Sequence, residues 1–119
     1  MARIDATITA TDPGGKVAFT IDKDPIRVPP GQHDIVFQLI DQTTQGPTTF
    51  DSSGPIFYVK GSNCPSSGKN CDQLNVESCT DTLLTVSDEN HDAIGSIGYR
   101  LNFNYGKKKA DLDPIIINT

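Results

Sequence analysis

Residues 94–105 read I-G-S-I-G-Y-R-L-N-F-N-Y, and their reading decides the fold. Tyr99, Leu101, Phe103 and Tyr105 fall on one side of an extended chain, while Arg100, Asn102 and Asn104 fall on the other. Successive side chains of a strand point to opposite faces, so this alternation marks a strand with one face in a core and one in water. A helix would place its apolar residues three and four apart, and no window of about eleven residues in the chain does so.

The same period-two pattern continues outward. Ile4, Ala6 and Ile8 share a face, as do Val17, Phe19 and Ile21. Residues 26–28, 34–41, 54–60, 73–79, 82–87 and 112–118 read as further strands. D-P-G-G at 12–15 and P-P-G at 29–31 are turns, 61–72 and 88–92 are polar loops, and G-K-K-K-A at 106–110 reads as the last connection. Seven to nine short strands, with turn signals about every ten residues, predict an all-β fold. The expected architecture is one antiparallel, immunoglobulin-like β-sandwich over residues 1–119, with a small closed barrel as the alternative.

Composition narrows the function. Ten basic against fifteen acidic residues give a net charge of −5, which argues against nucleic acid and anionic membrane surfaces as partners. No apolar run approaches the ~20 residues that span a bilayer. The opening M-A-R-I-D-A-T-I-T-A lacks the apolar middle of a signal peptide, so the expected location is the cytoplasm.

Metal and cofactor chemistry find little footing. Cys64, Cys71 and Cys79 are spaced too widely for the paired ligands of a zinc site. They read as thiols in and beside a loop, with a Cys64–Cys71 disulfide open in an oxidising setting. Blue copper needs two His, one Cys and usually an axial Met; His33 and His91 are present, but Met1 is the only methionine and no Cys shortly precedes a His. D-E-N-H-D at 88–92 lacks the order of a calcium-binding loop, and His33 reads as a surface or hydrogen-bonded residue. No metal and no cofactor are expected.

Asp-Pro dipeptides are the unusual feature. They occur at Asp12-Pro13, Asp24-Pro25 and Asp113-Pro114. The first fits a plain turn and the second an edge or bulge. The third precedes Ile115, Ile116 and Ile117, an apolar run that reads as the final strand. With a five-residue loop at 106–110, Tyr105 would face Asp111 and Asp113 would face Phe103 on the core side. Burial there would raise the Asp113 carboxyl pKa, and a proton-sharing carboxyl beside a prolyl nitrogen suits intramolecular cleavage. A slip of one residue would move Asp113 beside Asn102 and Asn104 on the other face.

The acidic all-β chain, the repeated Asp-Pro pairs and the terminal L-D-P-I-I-I-N resemble the DP-EP family of small bacterial proteins, most specifically over 94–118. The resemblance implies a β-sandwich that cuts its own Asp113–Pro114 bond, with Pro114–Thr119 retained as a strand. It also implies capture of the freed Asp carbonyl by a nucleophile such as lysine. Strand 94–105 carries Arg100 and no lysine, so a crosslink would fall to Lys107, Lys108, Lys109 or a lysine elsewhere. The candidate catalytic residues are Asp113 itself, Asp111, and His91 and Asp92 if the 88–92 loop folds over the hairpin. The competing expectation is a non-enzymatic binding or assembly module whose contacts lie in the loops 61–72 and 88–92. In either case the partner is a second copy of the chain, or unknown.

Overall fold

The computed structural model describes residues 2–61, 74–89, 95–112 and 115–118. In chain order the strands are β1 (Ala2–Thr11), β2 (Ala18–Ile21), β3 (Ile26–Val28), β4 (His33–Asp41), β5 (Thr48–Phe50) and β6 (Ile56–Gly61). They continue with β7 (Leu74–Cys79), β8 (Leu83–Asp88), β9 (Gly95–Tyr105), β10 (Lys108–Leu112) and β11 (Ile115–Asn118). Among the described residues no helix is long and apolar enough to cross a membrane.

The strands form two sheets packed face to face, so the sandwich is the observed architecture. The first sheet runs β2-β1-β4-β8-β7. The second is built around β9, which carries β10 and β11 along one edge and β5 and β6 along the other, with β3 outside β11. The pairing is not wholly antiparallel. β1 lies parallel to β4, the chain crossing to the second sheet at β3 before returning at β4, and β11 lies parallel to β3. Alternation alone carries no strand direction, so this feature was invisible in the pattern.

The core lies between the sheets. Ile8, Ile35, Phe37, Leu84 and Val86 come from the first sheet, and Ile26, Phe50, Tyr99, Leu101, Phe103 and Ile116 from the second. Phe103 is the main contact across the gap. Its ring stacks on Phe19 of β2 at a centroid distance of 4.3 Å and on Phe50 of β5 at 5.2 Å. Tyr99 meets Phe37 of β4 at 6.0 Å. Aromatic pairs at such separations add about 0.5–1.5 kcal/mol beyond the area they bury.

Two expectations are corrected, the first by the hairpin after β9. Residues 108–110 are strand, not connection, because the turn closes in two residues, Gly106 and Lys107. Gly106 sits at φ 58°, the left-handed conformation that the first central residue of a two-residue hairpin turn requires. The tight turn brings Ala110 and Leu112 against the core. The second correction is β5, a three-residue strand too short to announce itself, although Phe50 is fully buried.

Replacing Phe103 with Ala removes both stacking contacts from a fully buried position. The expected loss is about 3–5 kcal/mol, read as a lower urea midpoint with an unchanged m-value. Lys108→Ala, at an exposed position of β10, should stay within about 0.5 kcal/mol of wild type.

Candidate functional site

Asp113, Pro114, His91 and Asp92 lie outside the described residues, so the candidate site is defined by its flanks. β10 and β11 both pair antiparallel with the same edge of β9. Lys108 pairs with Tyr105, Leu112 with Leu101, Ile115 with Gly98 and Asn118 with Gly95. Partner numbers sum to 213 in both segments, so one register holds on either side of the Asp-Pro dipeptide. Tyr99 and Arg100 are the β9 positions between the two paired segments.

This register replaces the expected one. Asp111 faces Asn102 rather than Tyr105, and Phe103 faces Ala110 rather than Asp113. The cause is the two-residue turn, which shifts the pairing by three. An odd shift exchanges the faces of every side chain. The fully buried residue of β11 is accordingly Ile116. Phe103, the residue expected to face Asp113, is thus occupied by Ala110.

The outward face of β9 gathers charged groups. Arg100 Nε lies 4.0 Å from an Asp111 carboxylate oxygen, with the two side chains 44% and 54% exposed. Such an exposed pair orients its members more than it stabilises the fold. Lys109 donates from Nζ to Asn104 Oδ1 at 2.7 Å and to Asp51 Oδ2 at 3.1 Å. The Ser53 hydroxyl donates to the other Asp51 oxygen at 2.6 Å. That bond outweighs burial and, with the Lys109 ammonium, holds the Asp51 carboxyl below its ordinary range. Of the three candidate crosslinking lysines, Lys109 is thus engaged by a carboxylate, whereas Lys107 and Lys108 are exposed at the turn and the start of β10.

The carboxylate most strongly shaped by the fold was read from sequence as a plain turn residue. Asp12 is 8% exposed at the end of β1. Its oxygens accept hydrogen bonds from the Tyr105 hydroxyl at 2.7 Å, Thr44 N–H at 2.8 Å, Gln45 N–H at 2.9 Å and the Thr44 hydroxyl at 3.2 Å. The Tyr105 bond, opposed by burial and joined by the Thr44 and Gln45 bonds, lowers the Asp12 pKa from 3.8 to about 2. The same bond raises Tyr105 from 10.0 to about 12. No local signal links residues ninety-three positions apart. Asp41 works similarly: burial raises its pKa, but hydrogen bonds from Thr43 and Thr48 win and the net shift is downward. Asp12 thus joins the loop between β4 and β5 to the ends of β1 and β9, and Asp41 closes that loop on itself through Thr43 and Thr48.

Other chemistry is muted. Cys79 is half-buried, and burial, with Asp51 and Asp81 nearby, pushes its thiol pKa up, away from reactive thiolate. The Tyr99 hydroxyl is buried and has no hydrogen-bond partner among the described residues. Burial and the charge of Asp24 push its pKa well up, so it stays a neutral phenol. Among the described residues no group of three or more His, Cys, Asp or Glu is placed to hold a metal ion.

The Asp12–Tyr105 bond sets a pH window. A depressed carboxyl adds stability that is present above about pH 4 and lost as the pH falls toward 2. A raised phenol adds stability that is present below pH 10 and lost as the pH climbs through about 12. Melting temperatures across this range should show Asp12→Asn flattening the acid limb. Tyr105→Phe should abolish its share of the alkaline limb and weaken the acid one, since Thr44 and Gln45 still hold Asp12.

No family model matches this sequence, and no curated protein is similar to it, so the likeness to DP-EP proteins rests on the sequence pattern alone.

Proposed function

We propose that the protein hydrolyses its own Asp113–Pro114 peptide bond in a single turnover and keeps the severed strand in the sheet. One observation carries this reading: a single register flanks the bond, and the strand after it is held from both sides. β11 pairs with β9 on one edge and β3 on the other, with Ile116 fully buried. Burying an isoleucine contributes about 1.5–3 kcal/mol, and backbone ladders on both edges add to that. A strand cut at this place would still be seated by its ladders and by Ile116, so the fold would outlast its own reaction.

The chemistry requires no cofactor. The Asp113 side-chain carboxylate attacks its own peptide carbonyl carbon, forming a five-membered cyclic anhydride. The C–N bond breaks as the prolyl nitrogen takes a proton from a water molecule and leaves as a secondary amine. Water then opens the anhydride, leaving a chain that ends in Asp113 and a peptide that begins with Pro114. An ionised carboxylate is the nucleophile in this route, so the reaction calls for a charged Asp113 side chain that is free to turn toward its own carbonyl. In a second route a water attacks directly, with Asp111, His91 or Asp92 as general base. If a lysine captures the anhydride, Lys107 and Lys108 are better placed chemically than the ion-paired Lys109. The reading sets the protein in the cytoplasm, where a thiol such as Cys79 stays reduced.

Intact mass under denaturing conditions tests this directly, on fresh and aged protein at neutral and mildly acidic pH. Wild type should lose residues 114–119, and Asp113→Ala should not. Asp111→Asn, His91→Ala and Asp92→Asn together separate the routes: unchanged rates in all three support direct attack, whereas a loss of about 10²–10⁴-fold in one assigns that residue as general base. A chain that stays whole throughout rejects the proposal and leaves a binding module as the reading.

A further inference from the structure

The seat of β11 has a property that deepens this reading and rests on it. Among the described residues β3 is the last strand of the second sheet and joins it only through β11. Ile26 and Val28 of β3 are fully buried, and they pair in parallel with Ile116 and Asn118. Removing β11 therefore leaves both β3 and the Gly95–Gly98 segment of β9 without partners on their facing edges. Unpaired edges of this kind take up another strand readily. While the chain is whole, the seat is filled by the strand tethered next to it. Once the chain is cut, only non-covalent contacts keep the occupant there.

The occupant itself is suited to exchange. Residues 115–117 are all isoleucine. A one-residue slip normally turns a strand's polar face inward, which is what pins its register. Here a slip in either direction still presents an isoleucine to the position that Ile116 fills. A strand can therefore enter in a neighbouring register and settle into the native one, without first exposing a polar side chain to the core.

We infer that the groove between β3 and β9 is a peptide-binding site for the segment P-I-I-I-N-T, exchangeable between copies of the cut protein. The ladder supplies the affinity, and Ile116 is its anchor.

The test mixes cut protein of natural isotopic composition with cut protein labelled with ¹⁵N and follows the mixture by native mass spectrometry. The expected result is light bodies carrying heavy peptide, and the reverse, approaching the statistical mixture. Ile116→Ala should speed the exchange by at least about tenfold, since a buried anchor is lost. A second cut form, made by replacing residues 113–114 with a site for a specific protease, separates the two ideas. Exchange in that form without self-cleavage of wild type would reject the cleavage and keep the exchange site. Bodies that keep their original peptides in both cut forms would overturn the exchange site.

Discussion

The second sheet depends on one strand. β10, β11, β5 and β6 all find their hydrogen-bond partners on β9, and β3 follows through β11. The burial of Tyr99, Leu101 and Phe103 on the inner face of β9 fixes its orientation and therefore the register of everything attached. Phe103 adds the link between layers, because it touches Phe50 in its own sheet and Phe19 in the other. An eleven-residue strand with aromatic and aliphatic residues at every second position can serve as such an axis; a shorter one would lack room for two partners on each edge.

Where the sheets end, carboxylates take over from apolar contacts. Asp12, Asp41 and Asp51 each accept from backbone N–H groups and hydroxyls of nearby turns. Such groups would otherwise be left without partners when the turns pack against the sandwich. A carboxylate offers several acceptor sites at once, so one Asp can serve three or four donors. A chain with a modest apolar content gains order in this way, since each such residue fixes a loop that the core is too small to reach. Gly46 shows how tightly the loop after β4 is drawn. A Cβ there would stand 2.5 Å from the Thr43 hydroxyl and 2.7 Å from Thr48 N.

The layered all-β fold was legible because β1 and β9 alternate apolar with polar residues and β4 and β8 are short, largely apolar runs, each close to the bounds read from the pattern. What sequence hid was geometry decided by single turns and by distant pairs. Gly106 could equally have opened a five-residue loop, yet the two-residue turn reversed which face of β10 meets the core. β5 has three residues, too few for alternation to speak. Asp12 carried no sign of Tyr105, because the hydrogen bond joins the first strand to the ninth. Asp111 and Lys109 were recognisable as candidates, but their neighbours Arg100, Asn104 and Asp51 follow only from the register.

These contacts also change what an Asp-Pro dipeptide means. Self-cleavage needs a carboxylate free to rotate toward its own carbonyl, and nucleophilic enough to attack once there. Asp12 meets neither condition. Four donors hold its oxygens in place, and a pKa of about 2 marks a carboxylate whose charge is already spent on hydrogen bonds. The Asp12–Pro13 bond is therefore protected by the same contacts that close the end of the sandwich. The dipeptide alone therefore does not decide reactivity, because the contacts of its carboxylate differ from one Asp-Pro pair to the next. A reactive Asp-Pro pair must lie where the backbone is held on both sides while the carboxylate is not. In this fold the joint between β10 and β11 has that backbone arrangement.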